Sequence, residues 1–391
     1  MFDHLTGWVE LALRWIHIVV GAAWIGTSFY FNWLNNNLRP PDEPMKGVGG
    51  DLWSVHGGHF YRVMKYEVAP EKLPKVLHWF KWEAYFTWIT GALLLVVVYY
   101  LEAGTMVVDP QVMPMSKWTA IGIGAGTIVG GWILYHLLCK SPVGRKPMVL
   151  STIVALMMIG VAHGMAEVFG GRAAFIHVGA LMGTIMAANV FFVIIPNQRV
   201  MVDAMTKGEE PDPKMGLEGA QRSLHNNYFT LPVLFIMVSN HYPVTWGHHW
   251  NWVLLAALMV IGALTRHWFN LRGQGHKNAY LLPIAAAGMV ALAFVTAPKS
   301  YAGYDPVEFA EVRAIIDRHC VQCHSASPTM DGFTEPPLGV MLDTAPQIIT
   351  HAQRINTQVV VSQVMPLGNL TQMTQAERDA IGAWFYQGAR Q

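Results

Sequence analysis

Eight apolar runs divide the first 297 residues of this chain, near 9–33, 82–101, 118–138, 148–168, 173–196, 228–241, 250–269 and 279–297. A helix needs roughly 20 such residues to cross ~30 Å of hydrocarbon. Inside lipid every backbone amide must be satisfied within its own segment, so runs of this kind fold as helices. The expected fold is therefore all-α, an eight-helix transmembrane bundle. The sixth run is the weakest, with Pro232 inside it and polar residues at both ends. Charged residues make up 13% of the chain, about half the usual share for a soluble domain, which is roughly 25%. A net charge of +1 leaves no basic stripe to neutralise phosphates, so nucleic acid is excluded as a partner. The opening Met1-Phe2-Asp3-His4 lacks a basic n-region, and the first run is expected to be an uncleaved span with lipid as its partner.

Charge then orients the bundle. The segments after runs one, three, five and seven carry Lys65, Lys72, Lys75 and Lys81, then Lys140, Arg145 and Lys146, then Arg199, Lys207 and Arg222, then Arg272 and Lys277. The opposite segments offer little beyond Lys117 and Arg172. The positive-inside rule makes the first set cytoplasmic, so both termini and everything after about residue 297 lie outside. Internal matches suggest four spans used twice. Ile16-His17 pairs with Ile176-His177, Tyr85-Phe86-Thr87 with Tyr228-Phe229-Thr230, and Gly131/His136 with Gly262/His267. Units with an even number of spans form a parallel repeat, here about 1–140/172 and 173–297.

Beyond a linker at 298–304 the composition changes. Cys320-Val321-Gln322-Cys323-His324 is the C-x-x-C-H signature, in which both thiols bond a haem and the histidine reaches its iron. Residues 305–319 read as an amphipathic helix, and Thr374-Gln375-Ala376-Glu377 is a capping box that opens a final one. This layout makes 305–391 a small class I cytochrome c domain. Met330, Met341, Met365 and Met373 compete to be the second iron ligand. Met365 is favoured, because it sits beside Pro366 on a loop before the last helix, where it can cover the open haem face. The alternative is zinc held by the two thiols with His324 and His351.

Polar groups inside spans mark sites, because they are costly there. Run one places Glu10, Arg14 and His17 on one helix face. Run four carries His163 and Glu167, and Glu83 opens run two. His17 and His177 occupy matching places in the repeat and suit either a substrate pocket or a haem b. The long connection 35–81, with Asp51, His56 and His59, is a candidate lid.

The run from Arg14-Trp15-Ile16-His17 to Trp24-Ile25-Gly26, the eight apolar runs and the terminal C-x-x-C-H resemble the bacterial membrane-bound, cytochrome-c-fused urate oxidases. The resemblance covers essentially the whole chain and rests on the combination. It implies oxidation of urate to 5-hydroxyisourate with water as oxygen source. Electrons would leave through haem c to a respiratory acceptor such as soluble cytochrome c or a terminal oxidase, at the inner membrane. His17, Trp24 and Gly26 also look like the first helix of small four-helix membrane haem proteins, which adds weight to haem b at His17 and, through the repeat, at His177. Urate is an anion whose oxidation releases protons, so its pocket needs a cation and a base. Arg14, His17, Glu83 and His163 are the expected catalytic set. The competing expectation is an electron-transfer subunit fed by a quinol or a partner dehydrogenase.

Overall fold

The computed structural model describes residues 2–70, 73–74, 76–297 and 299–391. Of the loop cations named above, Lys72 and Lys75 lie outside the described residues, as does Pro298 of the linker.

Each of the eight apolar runs is helical. The helices are α1 (Phe2–Asn37), α2 (Trp82–Leu94), α3 (Lys117–Lys140), α4 (Pro147–Ala166), α5 (Gly171–Asn189), α6 (Pro213–Ser239), α7 (Asn251–Gly273) and α8 (Leu281–Val295). Six helices of the described residues are long and apolar enough to cross a membrane. The two others fall short for different reasons. The 15 residues of α8 rise only about 22 Å at 1.5 Å each. In α6 the first turns are polar.

That polar start corrects the sequence reading. The sixth helix begins at Pro213, not near 228, because Asp212 caps it by accepting from the Lys214 N–H at 2.9 Å and Pro213 occupies the first turn. Arg222, counted above as a loop cation, lies inside α6 and is 3% exposed.

The bundle closes around α5, whose Phe175, Val178, Leu181, Met182 and Ile185 are buried. Small residues let its neighbours approach: Gly179 meets Ile236 of α6, and Gly131 of α3 meets Leu181. Helix α1 stays at the periphery, packed on α2, with Trp8, Leu11, Trp15, Ile18 and Val19 exposed. An apolar surface of that extent suits lipid contact. Among the described residues of the bundle, two π turns interrupt the regular helices, Leu95–Tyr100 after α2 and Val190–Ile194 after α5.

The expectation of an all-α chain needs one amendment. Within the 35–81 connection, β1 (Val48–His56) and β2 (His59–Tyr66) form an antiparallel hairpin in which His56 faces His59. Gly57 and Gly58 make its two-residue turn with φ of 58° and 78°, a backbone that favours glycine at both places. His56 and His59 are exposed at the tip.

The C-terminal segment has its own apolar cluster. Helix α9 (Phe309–His319) contributes Val312, Ile315 and Ile316, and α10 (Gln375–Tyr386) contributes Ile381 and Trp384. Thr374 and Glu377 form the capping box that starts α10. Two short helices between them, Ala345–Thr350 and Ala352–Ile355, were not legible as such. They begin at a second capping box, Thr344 with Gln347.

This segment rests on one end of the bundle, here termed the upper end. Gln111 donates to the Met373 carbonyl at 3.0 Å. Gly368 packs on the backbone of Thr105, Gly247 packs on that of Ser362, and Val364 joins the bundle's apolar cluster. The docking loop is thus 362–373, which carries Met365.

Candidate functional site

Chemistry-bearing residues gather in three places. The first is the C-x-x-C-H turn. The Cys323 and His324 amides both donate to the Cys320 carbonyl, at 3.1 and 2.8 Å, so all three residues lie on one helical turn. Both cysteines are free. Burial pushes the Cys320 thiol up to about 12 and also raises that of Cys323. His324 donates through Nδ1 to the Val340 carbonyl at 3.0 Å, which fixes the tautomer and leaves the Nε2 lone pair free. Among the described residues no three His, Cys, Asp or Glu side chains gather where they could hold a metal ion, so the zinc alternative lacks its ligand set.

Met365 is half-buried against the same apolar cluster that includes Cys320. Its rival Met373 is wholly buried in that cluster. Arg378, 4% exposed, holds the Met365 loop by donating from Nη1 to the Val359 and Met365 carbonyls at 2.6 and 2.7 Å. It also reaches Asn369 Oδ1 at 3.4 Å.

The second place lies at the upper end of the bundle, directly below that loop. Tyr99 and Tyr100 close the π turn after α2. Tyr99 donates to Asn240 at 2.8 Å, and the Arg172 guanidinium lies over the Tyr99 ring and reaches Asn240 Oδ1 at 3.2 Å. His177 is fully buried. Its Nδ1 donates to the Ala173 carbonyl at 2.8 Å, so Nε2 is the acceptor for the Tyr100 hydroxyl at 3.1 Å. Phe169 packs on the imidazole, and Gly124 faces it because any side chain there would overlap the ring.

The third place is in the opposite, lower half. Asn189 donates to Tyr135 at 3.0 Å and to Asn226 at 2.9 Å, and Tyr135 meets His225 Nδ1 at 2.8 Å. Arg222 lies over the Tyr135 ring. On the next face of α6, Asn227 accepts from Arg266 at 2.5 Å and from Asn270 at 3.3 Å. Arg266 is 5% exposed and lies against Phe29.

The expected catalytic set does not converge. Arg14 pairs with Glu10 at 2.6 Å, both half-exposed. His17 bonds Thr90 at 2.9 Å. Glu83 stands in the first turn of α2, near the lower end. His163 lies 3.7 Å from Glu167 and against Trp252. No hydrogen bond or ion pair joins these four among the described residues. As for haem b, α2 and its continuation stand between the two histidines, Thr90 engaging His17 and Tyr100 engaging His177. Both nitrogens of His177 are taken.

The sequence reading missed Tyr99, Tyr100, Arg172, Asn240, Arg222 and Arg266 as site residues. Two signals were available. Arg266 falls inside an apolar run, and Asn226-Asn227 opens another.

A bundle of long apolar helices with buried cations, tyrosines and a histidine, capped by a C-x-x-C-H segment, has the equipment of a redox protein. The chain belongs to the urate oxidase N-terminal family, whose model matches residues 3–297. It is therefore a urate oxidase-related protein of oxidoreductase type. No curated protein and no solved structure matches it.

Proposed function

We propose that the chain is a membrane-bound oxidoreductase that converts urate to 5-hydroxyisourate with water as the oxygen source. Urate monoanion and water give 5-hydroxyisourate, one proton and two electrons. The observation that carries the reading is a contact. The loop bearing Met365 rests on Thr105 and Gln111, which follow closely on Tyr99 and Tyr100, so an electron acceptor would sit directly above the upper cluster.

The C-terminal residues fit a covalently held haem c. Cys320 and Cys323 supply free thiols, His324 Nε2 is open, and Met365 is held by Arg378. Haem c, when bound, accepts electrons one at a time and raises its potential through thioether ligation. In the upper cluster Arg172 holds the urate anion. The Tyr100 oxygen receives a proton from the reacting pair and passes its own to His177 Nε2, already its hydrogen-bond acceptor. Burial of this relay limits competing solvent. Both termini lie in the periplasm, and the lower, lysine- and arginine-rich end faces the cytoplasm.

The test compares Arg172→Gln and His177→Gln with wild type for membrane yield, haem content and urate-driven haem reduction. Normal yield and haem with at least about a hundredfold slower reduction is expected, the loss typical of a positioned acid or base. Wild-type rates in both variants would remove the upper cluster from the reaction.

A further inference from the structure

We infer that the cavity between the lower ends of α7 and α8 holds the phosphate headgroup of an anionic phospholipid. This rests on the membrane placement proposed above and not on the urate chemistry.

The cavity measures about 560 Å³ and lies where the two helices turn into each other. Its walls are Trp268 and Arg272 from the end of α7, His276 and Lys277 from the connection, and Leu282 and Pro283 from the start of α8. Hydrogen bonds fix that connection. Trp268 Nε1 donates to the Asn278 carbonyl at 2.9 Å, and Asn278 Oδ1 accepts from the Tyr280 and Leu281 amides at 3.0 and 3.3 Å. The His276 amide donates back to the Leu271 carbonyl at 3.0 Å. The permanent charges of the lining are all positive, because no Asp or Glu contributes to it. Arg272 lies over the Trp268 ring, 5.4 Å from its centroid. Among the described residues neither Arg272 nor Lys277 has a carboxylate within ion-pair range. A guanidinium and an ammonium lining one cavity without an acid match a phosphodiester.

Position favours a lipid over a free anion. The cavity lies where two apolar helices end on the cation-rich side of the bundle, which is the depth of the headgroups. One wall is basic, and the other is apolar and continues along α8 into Ile284, which is exposed and gives an acyl chain a surface to follow. Trp268 lines the cavity and Tyr280 is exposed beside it, both amphipathic rings of the kind that settle at this depth. The 15 residues of α8 rise only about 22 Å, so the bilayer thins around it and brings headgroups to its ends. A zwitterionic headgroup would set its own ammonium against Arg272 and Lys277, whereas an anionic one adds no cation.

The test titrates phosphatidylglycerol into delipidated full-length protein in neutral detergent and counts bound lipid by native mass spectrometry. Two cations near a lipid surface strengthen anionic-lipid binding about thirtyfold. Arg272→Gln/Lys277→Gln should therefore hold its first phosphatidylglycerol at least about tenfold more weakly than wild type, with unchanged haem content. Lys277→Gln alone, on an exposed connection, should lose about fivefold and serves if the double variant folds poorly. Lys140→Gln/Lys207→Gln, outside the cavity lining, should bind as wild type. Unchanged affinity in the cavity variants overturns the inference. An equal loss in the Lys140/Lys207 variant does too, since it would mark diffuse surface charge. So does equal wild-type affinity for phosphatidylcholine, or displacement of the lipid by equimolar inorganic phosphate, which would mark a site for free anions. A chain that stays monodisperse without detergent would overturn the membrane placement itself.

Discussion

Arg378→Leu tests how the docking loop is held. Arg378 donates at 2.6 and 2.7 Å to the carbonyls of Val359 and Met365, which have no replacement donor in the variant. A charge-assisted hydrogen bond contributes about 1.5–3 kcal/mol net. Losing two costs about 3–6 kcal/mol, less the relief of no longer burying a guanidinium, which leaves roughly 3 kcal/mol. For a domain of under a hundred residues, each kcal/mol shifts the melting temperature by about 4–8 °C. The variant should therefore melt at least ~10 °C below wild type when the full chain is followed through its haem absorbance. The far-red sulfur–iron band should weaken, because the Met365 carbonyl is one of the two anchors. A variant that melts within 2–3 °C of wild type (roughly half a kcal/mol on the same scale) and keeps the band would refute the view that Arg378 fixes this loop.

Three further outcomes are expected. Met365→Ala should abolish the sulfur–iron band while retaining covalent haem, and loss of the band in Met341→Ala or Met373→Ala alone would reassign the ligand. Burial pulls the Glu377 carboxyl up, yet the Thr374 amide and hydroxyl and His319 outweigh it and hold the group at about 2. A depressed carboxyl stabilises the fold above its ordinary range and loses that contribution as pH falls toward 2. Glu377→Gln should therefore melt below wild type at pH 7 and together with it near pH 2, as read by Trp fluorescence; parallel curves throughout would contradict this. A phosphatase fused after Gln391 should be active and one inserted at the Gly57-Gly58 tip inactive, and the reverse pattern would invert the orientation.

How much was legible follows from what each signal depends on. Apolar runs depend on local composition, so a helix lies at each of the eight runs. Capping chemistry is equally local, and the Thr374–Glu377 box opens α10 as read. The start of α6 was misplaced because its first turns are polar and exposed or only partly buried, and hydropathy cannot separate a polar helical turn from a loop. Its cue was Asp212-Pro213, a cap and a first-turn proline. The hairpin also had a local cue, Gly57-Gly58 between alternating residues, which the length of the connection obscured. The site was the least legible part. Arg14 and His17 share a helix face, but Glu83 and His163 could join them only through tertiary packing that one sequence does not encode visibly. The pairing of Tyr100 with His177, 77 positions apart, depends on a π turn that no propensity forecasts.

The central claim is that one chain oxidises urate and receives its electrons on its own C-terminal haem. The most direct measurement is anaerobic mixing of urate with the purified, oxidised full-length protein, with haem absorbance recorded and the product's oxygen traced from isotopically labelled water. The account predicts haem reduction by urate alone, labelled 5-hydroxyisourate and no requirement for a second protein. Haem that stays oxidised with urate but is reduced by a quinol would contradict it and make the chain an electron-transfer subunit.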